Sequence, residues 1–402
     1  MWIVLAAILA QSVDYHAEGV KAMNARQFDA AIEDLKKAVA ADPKDYFSHF
    51  DLALAYSLTG NDASAVPEYK AALDLKPGLY EAELNLGISL LRSKDAAGAV
   101  PYLDAAAREK PNEFRPALLH SQALLESGKA AEAEKSFTGT LSLNAQSAAA
   151  EEGLGQAIER QGRLSEAEPH LRKAASLDPS YKSGLLELAE QYEKNQQPAA
   201  AIAIYRDFPE DPAAQERMGA LLEQSGKAAD AIPALETAVA KSPTPANRVA
   251  LAQAYIQSKQ PAKAEPLVAA ALAAEPNDYE LRMFYGRILR DQRKFSEAAP
   301  QFLAASKLKP DAPQPWNELA GVLITAQQYP QALAALDRVR ALGAETPAHY
   351  FLRAISLDHL HQLKEALENY NKFLASSQGK NPDEEFQARQ RARIIRNELN
   401  RR

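Results

Sequence analysis

None of the 402 residues is cysteine, so a metal site in this protein would have to be built from histidine and carboxylate side chains. Without cysteine there are no disulfides, no thiolate metal ligands and no thiol nucleophiles. The seven histidines are scattered, and the closest pair, His359 and His361, stands two positions apart. Residues two apart on a helix point to different sides, so this pair does not indicate a metal site.

Sequence motifs of nucleotide-binding and zinc enzymes are absent as well. The chain contains no phosphate-binding loop of the GxxxxGKS or GxxxxGKT type, no GxGxxG and no HExxH. These spacings are the ones that cradle phosphates or place two histidines on one helix face. We therefore predict that the protein is not an enzyme and that it uses no cofactor and no metal.

Glutamate is the remaining residue type whose spacing indicates a surface with a function. Glutamates recur at spacings of three and seven in the middle of the chain, at Glu152, Glu159, Glu190, Glu193, Glu216 and Glu223. On helices these spacings place side chains on a shared face, which would form an acidic stripe. The alternative stays open that they are ordinary exposed helix formers.

The charge balance excludes one class of partner. Lysine and arginine together number 46 against 53 aspartates and glutamates, a net charge of −7. A nucleic-acid surface normally needs a basic excess, so we predict no nucleic-acid partner. At 47 % apolar and 25 % charged residues, the composition is that of an ordinary globular protein.

An internal repeat organises the chain and must position these side chains. Alanine recurs 34 residues apart, apart from one spacing of 30 and one of 33, at Ala31, Ala65, Ala99, Ala133, Ala167, Ala201, Ala231, Ala264, Ala298, Ala332 and Ala366. Twelve residues before each alanine stands a glycine, alanine or serine, and four residues after it stands a large apolar residue. A period of this length identifies a repeat architecture.

The three columns have a steric interpretation. Two antiparallel helices approach closely only where both carry small side chains, so the small residue and the alanine mark a helix crossing. The large residue one turn later then fills the space towards the next hairpin. Glycine-containing turns, such as that at Gly128, separate the two helices, and a proline such as Pro111 closes most repeats.

A 34-residue helix–turn–helix with this pattern resembles the tetratricopeptide repeat family. The resemblance covers about eleven units between Val13 and Ala375. It implies an all-α fold, a right-handed α-α superhelical solenoid of helical hairpins. It also implies a protein or extended-peptide partner bound in the concave groove of the superhelix.

Breaks in the repeat divide the chain. We predict units 1–6 over residues 13–211, units 7–11 over 212–379 and a C-terminal capping helix over 380–402. The short spacing between Ala201 and Ala231 lacks about one helical turn, which predicts a kink near 207–212. The arginines of the terminal helix are interpreted as a solvated face, with a nucleic-acid or anionic-lipid role as the less favoured alternative.

In proteins of the resembled family the groove is lined by the second, fifth, ninth and twelfth positions of each first helix. Carried over to this sequence, these positions form an apolar part in units two to four, at Phe47, Phe50, Leu54, Leu84, Ile88, Leu91 and Leu118. The acidic stripe would form the centre and Arg287 and Arg290 a basic patch. Some of the apolar residues are equally well explained as core between helices. The family's carboxylate clamp is not expected, because Val20 and Leu54 stand where it needs asparagine.

The first residues bear on localisation. Trp2 to Ala10 is an apolar run too short to cross a bilayer, with small residues Ala10 and Ser12 placed for signal-peptide cleavage. No basic residue precedes it, so an apolar cap on the first helix is the alternative. We therefore expect residues 1–12 to be a signal peptide and the protein to be exported, to the periplasm. A cytoplasmic location is the alternative. No later stretch is long and apolar enough for a transmembrane span.

The leading hypothesis is a non-enzymatic scaffold, expected to be monomeric, that binds a partner peptide or protein in its groove. A basic partner segment is favoured at the acidic centre. The alternatives are a substrate-recruiting arm of an envelope-associated enzyme or assembly complex, and a self-assembling structural protein. The charged terminal helix argues against open-ended stacking at that end.

Overall fold

The computed structural model describes residues 14–401, and every regular element among them is helical. There are 23 α-helices and one short 3₁₀ turn, and no β-strand occurs in this part of the chain. The predicted all-α fold class is therefore confirmed. The predicted signal peptide of residues 1–12 lies outside the described residues.

The helices alternate as first and second members of hairpins. The first helices are α1 (Tyr15–Asn24), α3 (Tyr46–Leu58), α5 (Tyr80–Arg92), α7 (Phe114–Glu126), α9 (Ala148–Glu159), α11 (Lys182–Lys194), α13 (Pro212–Gln224), α15 (Pro245–Gln257), α17 (Tyr279–Asp291), α19 (Pro313–Thr325) and α21 (Pro347–His359). The second helices are α2 (Phe28–Ala41), α4 (Asp62–Leu75), α6 (Ala96–Glu109), α8 (Ala130–Leu143), α10 (Leu164–Leu177), α12 (Pro198–Tyr205), α14 (Ala228–Lys241), α16 (Pro261–Ala274), α18 (Phe295–Leu308), α20 (Tyr329–Ala341) and α22 (Leu363–Ser377). A 3₁₀ turn, η1 (Pro179–Tyr181), precedes α11, and α23 (Pro382–Arg401) ends the series.

Contacts between residues divide the chain into two units, an N-terminal unit (Met1–Ala201) and a C-terminal unit (Ile202–Arg402). Within each unit, a helix packs mainly against the helices next to it in sequence, as expected of stacked repeats. The boundary falls inside α12, before the segment 207–212 where the sequence predicts a kink. The kink itself stays a prediction.

The helix crossings depend on side-chain size, as the columns predict. All eleven column alanines are 0 % exposed, and the large residue four positions later is at most 3 % exposed in every hairpin. A Cβ built on Gly87 would lie 2.4 Å from Leu103 Cγ, and one built on Gly155 would lie 2.7 Å from Leu171 Cγ. The large residue therefore packs against the small residue of the first helix in its own hairpin. The sequence analysis placed it only in the space towards the next hairpin.

Each hairpin turns through one residue with left-handed backbone geometry. This residue follows the first helix and has a positive φ in all eleven hairpins, at Arg26, Gly60, Lys94, Gly128, Gly162, Gln196, Gly226, Lys259, Arg293, Gln327 and His361. Glycine adopts this conformation without strain, whereas the other residues do so at a cost. The glycine turns seen in the sequence are thus four instances of a geometry that every repeat uses.

Helix α12 is shorter than the other second helices. It has eight residues, whereas α10 has fourteen, because Pro209 and Pro212 follow and cannot continue a helix with intact hydrogen bonding. The buried amide of Gln215 donates to the carbonyl oxygens of Tyr205 and Phe208, at 3.2 and 3.0 Å. These bonds satisfy backbone acceptors that the missing helical turn would otherwise have used.

The last helix, α23, lies against α22 and its core. Ala388, Ala392 and Ile395 are buried there with Tyr370 and Phe373. Arg391 of α23 binds both carboxylate oxygens of Asp358 in α21, at 2.8 and 2.7 Å, a bidentate geometry that fixes the helix in place. The remaining arginines of α23 are exposed, and one of them, Arg389, binds Glu385 of the same helix at 2.6 Å.

No helix within residues 14–401 has the length and apolar character needed to cross a membrane.

Gly139 of α8 and Gly153 of α9 allow the packing at the helix contacts to be tested with one type of substitution. A Cβ on Gly153 would lie 2.2 Å from Cζ of the fully buried Phe137 ring, whereas a Cβ on Gly139 would meet no atom within 4 Å. We expect Gly153→Ala to destabilise the protein by about 1–3 kcal/mol through overpacking. Gly139→Ala should be neutral or stabilise by up to about 1 kcal/mol, through helix propensity. Urea unfolding of both variants measures this, and equal effects of the two substitutions would contradict the proposed packing.

Candidate functional site

The first helices of the N-terminal unit form one continuous face. Each of them, from α1 through α3, α5, α7 and α9 to α11, contacts the next first helix, whereas the second helices within residues 14–201 make no comparably extensive contacts with one another. Helices that approach each other across repeats lie on the inner side of a curved stack. We name this surface the first-helix face, and it is the candidate binding surface of the unit.

The apolar groove candidates occupy different depths on this face. Phe47 is 54 % exposed and its ring lies 4.0 Å from that of Tyr46. Phe50 and Ile88 are half-buried and pack against the apolar core, which includes Leu84. Leu54, Leu91 and Leu118 are likewise half-buried. Phe47 is therefore the most accessible of these side chains, and Leu84 contributes mainly to the core.

The acidic candidates are divided between the two units. Glu152 and Glu159 of α9 and Glu190 and Glu193 of α11 belong to the N-terminal unit, and Glu216 and Glu223 of α13 belong to the C-terminal unit. Glu216 is exposed, Glu152 is buried, and the other four are half-buried. Burial raises the pKa of Glu223, and its Oε1 has no hydrogen-bond donor within the described residues.

Glu152 is the most unusual carboxylate on the first-helix face. It is 9 % exposed, its Oε1 accepts a 2.9 Å hydrogen bond from Gln156 Nε2, and its Oε2 has no donor among residues 14–401. Burial raises its pKa to about 7, the Gln156 bond opposes this, and the nearby carboxylates of Glu187 and Glu159 raise the pKa further. A buried carboxylate without a cation is energetically costly.

The preceding residue, Glu151, is a buried carboxylate that is paired with cationic groups of its own hairpin. Glu151 is 3 % exposed and receives two contacts from α10, from His170 Nδ1 at 2.7 Å and from Lys173 Nζ at 2.5 Å. It is therefore paired and hydrogen-bonded, which is the usual state of a buried charge. Glu152, one position later, points away from α10 and lacks such partners.

Two residues at this site were missed by the sequence analysis. Glu187 of α11 adds its negative charge to that of Glu152 and Glu159, and Gly184 of α11 lies directly against the Glu152 carboxylate. A Cβ at Gly184 would lie 2.4 Å from Glu152 Oε1, so a larger residue there would displace the carboxylate. The three repeat columns describe how a first helix packs against its own second helix. They therefore could not predict which residues of successive first helices meet.

The two basic candidates, Arg287 and Arg290 of α17, are engaged by carboxylates. Both bind Glu318 of α19, Arg287 Nε at 3.3 Å and Arg290 through its Nη1, and Arg290 also binds Asp291. Arg287 stays exposed and Arg290 is half-buried. Much of their charge is neutralised within the C-terminal unit, so they form a salt-bridged cluster rather than an open basic patch.

The histidines that drew attention in the sequence do not assemble a ligand set. The ring of His359 stacks on Tyr329 with centroids 4.4 Å apart, and His361 occupies the left-handed turn before α22. In the part of the chain from 14 to 401, no three histidine, aspartate or glutamate side chains are grouped as metal ligands would be.

Comparison with protein families matches most of this chain. A family model described as tetratricopeptide repeat matches residues 16–80, 118–182, 186–245 and 317–381. A second model with the same description matches residues 222–288. The matched ranges include all of α9 and most of α11, which carry the acidic part of the first-helix face.

Solved structures similar to this chain include two proteins. MamA (MSR-1) is 25 % identical over 41 % of this chain and 95 % of its own, with a TM-score of 0.38. YrrB, described as a TPR protein with an unusual peptide-binding site, is 18 % identical over 43 % of this chain and 89 % of its own, with a TM-score of 0.41. No curated protein matches the sequence.

The raised pKa of Glu152 predicts a pH-dependent contribution to stability. Between its ordinary value of 4.5 and about 7, the folded state binds more protons than the unfolded state, so this residue lowers the free energy of unfolding as pH rises through that window. We expect Glu152→Gln to be more stable than the wild type by about 1–3 kcal/mol at pH 8, and nearly equal to it at pH 5.

Urea unfolding at both pH values measures this difference. The control is Glu216→Gln, an exposed glutamate at the same fifth position of a first helix, which should show the same small effect at pH 5 and at pH 8. A Glu152→Gln variant that gains no stability over the wild type between pH 5 and pH 8 would show that the carboxylate is not held in an unfavourable environment.

Proposed function

The chain belongs to the tetratricopeptide repeat family, whose members are protein-interaction scaffolds, and we propose that it holds an extended peptide of a partner protein on its first-helix face. The family match supports a protein or peptide partner. The observation that carries the proposal is the continuous contact of α1, α3, α5, α7, α9 and α11, which presents one uninterrupted surface.

We further propose that the partner segment is basic where it meets α9 and α11. Burial raises the pKa values of Glu152 and Glu159, and the carboxylate of Glu187 raises both further, as expected where carboxylates gather on one surface. Charge complementarity of this kind selects partners and accelerates their association, and salt weakens it. On the apolar part of the face, the exposed Phe47 ring offers a contact for an apolar side chain of the same peptide.

The protein is proposed to act without catalysis and as a monomer. Tetratricopeptide repeat proteins are generally scaffolds rather than enzymes, which disfavours the alternative of an enzyme with a recruiting arm. Against the alternative of a self-assembling structural protein, α23 covers the apolar surface of α22 and presents arginines to solvent. A polar terminal element of this kind stops a stack from growing at that end.

Export to the periplasm is proposed on the apolar run from Trp2 to Ala10, with the cytoplasm as the alternative. Mass spectrometry of the protein purified from its native host gives the mature N-terminus. A chain that begins near Ser12 is the expected result, and a chain that retains residues 1–12 would contradict cleavage.

Reversing one charge on the first-helix face tests the binding surface. We expect Glu187→Lys to reduce binding to an array of synthetic basic peptides several-fold at low salt, because it places a cation beside Glu152 and Glu159. Glu33→Lys, an exposed position on the second helix α2, makes the same change in net charge away from this face and should bind as the wild type does.

Raising the salt concentration from about 50 to 300 mM should weaken wild-type binding more than that of Glu187→Lys, since exposed charges are screened. Equal binding by the wild type and both variants would contradict binding of the peptide on the first-helix face. A preference of the array for acidic peptides would contradict the basic partner.

A further inference from the structure

We infer that the cavity beside Glu152 receives the cationic head of one lysine or arginine side chain of the bound peptide, with Glu152 as its counter-ion. The inference rests on the proposed function, because the peptide must lie on the first-helix face for a side chain to enter. It adds a defined subsite, between α7, α9 and η1, to a surface that otherwise offers general complementarity.

The cavity is bounded on three sides. Gln122, Leu125 and Glu126 of α7 form one wall, Glu152 and Gln156 of α9 form another, and the buried ring of Phe137 lies beneath them. Its volume is about 320 Å³, at the lower end of the range of ligand pockets. This size suits one long side chain rather than a stretch of peptide backbone.

One buried carboxylate oxygen at the cavity has no hydrogen-bond donor among the described residues. Glu152 is more than nine-tenths buried, and only its Oε1 has a donor, Gln156 Nε2. Within residues 14–401 no lysine, arginine or histidine forms an ion pair with this carboxylate, whereas the adjacent Glu151 has two such partners. A fold that can neutralise one buried carboxylate with two cations leaves its neighbour, on the binding face, with none.

The charges around the cavity favour a cation over an anion. Glu126 and Arg160 line it together with Glu152, and Glu159 and Glu187 lie near Glu152. Two cations oppose them, Arg160, whose guanidinium donates to the Leu125 carbonyl oxygen at 2.5 Å, and Lys194, both of which act on Glu159. Four carboxylates against two cations leave the site negative, and neither cation reaches Glu152.

An incoming ammonium or guanidinium group would donate to the Glu152 carboxylate, whose side chain would turn towards the cavity to accept it, and would remove the cost of the unpaired charge. Charge-assisted hydrogen bonds of this kind are stronger than neutral ones, and more so where water is excluded. Because burial raises the pKa of Glu152 to about 7, the carboxylate is mostly ionised at pH 8 and mostly protonated at pH 6. Binding of a basic side chain therefore weakens as pH falls through this range.

The test is a selection followed by a matched exchange. A random twelve-residue peptide library is panned on the full chain at pH 8 and low salt, and the best peptide is synthesised with its basic residue and with norleucine in its place. We expect a lysine or arginine at a fixed position. The norleucine exchange should raise Kd about tenfold on the wild type and less than twofold on Glu152→Gln.

Two controls separate this subsite from general attraction. Glu216→Gln, with the same charge change at the equivalent helix position of α13, should keep the tenfold effect. Lowering the pH from 8 to 6 should weaken binding of the basic peptide to the wild type. The affinity of this peptide for Glu152→Gln, which is lower at pH 8, should not change. Circular dichroism checks that both variants are folded.

The outcomes distinguish the two levels of the proposal. Peptides without a fixed basic residue, or a norleucine effect equally large on Glu152→Gln, would overturn the subsite and leave the scaffold function intact. A selection that enriches no peptide at all would contradict the proposed function, and the subsite with it.

Discussion

Side-chain size at the helix crossings is the constraint on which the rest of the structure depends. At each crossing an alanine is completely buried and a large apolar residue one turn further fills the hairpin. Protein interiors pack too densely for either position to change size freely. Because the same arrangement recurs in every hairpin, neighbouring hairpins within a unit stack, and successive first helices of the N-terminal unit come close enough to form one face.

Close packing of neighbouring first helices also explains how two adjacent glutamates acquire different environments. Consecutive residues on an α-helix are turned about 100° from one another. Glu151 therefore faces α10 of its own hairpin, where His170 and Lys173 meet it, and Glu152 faces α11 of the next hairpin, where Gly184 leaves room for it. The structural and the binding roles of these carboxylates follow from one backbone geometry.

Much of the fold could be predicted from the sequence, because the crossings are local and periodic. The columns place small residues such as Ala167 and large ones such as Leu171 correctly in the core. The site was less predictable, because a first helix has two buried sides, one against its second helix and one against the next first helix. Periodicity within one repeat cannot separate these two sides, so a groove candidate such as Leu84 lies in the core.

Electrostatic partners were the least predictable feature, since they come from neighbouring repeats. From the sequence, Arg287 and Arg290 were predicted to form a basic patch. In the structure, Glu318 of the next first helix binds both of them. Likewise the sequence does not distinguish Glu152 from the other five glutamates of the predicted acidic stripe. Its burial in the structure does. Charge pairs of this kind depend on the distance between helices, which no spacing in the sequence states.

The most direct measurement of the central claim, that the first helices present the binding surface, is hydrogen–deuterium exchange on the full chain with and without a selected basic peptide. The account predicts that the peptide slows amide exchange in α7, α9 and α11, while α8 and α10 change little. Protection confined to the second helices, with α9 unchanged, would contradict it.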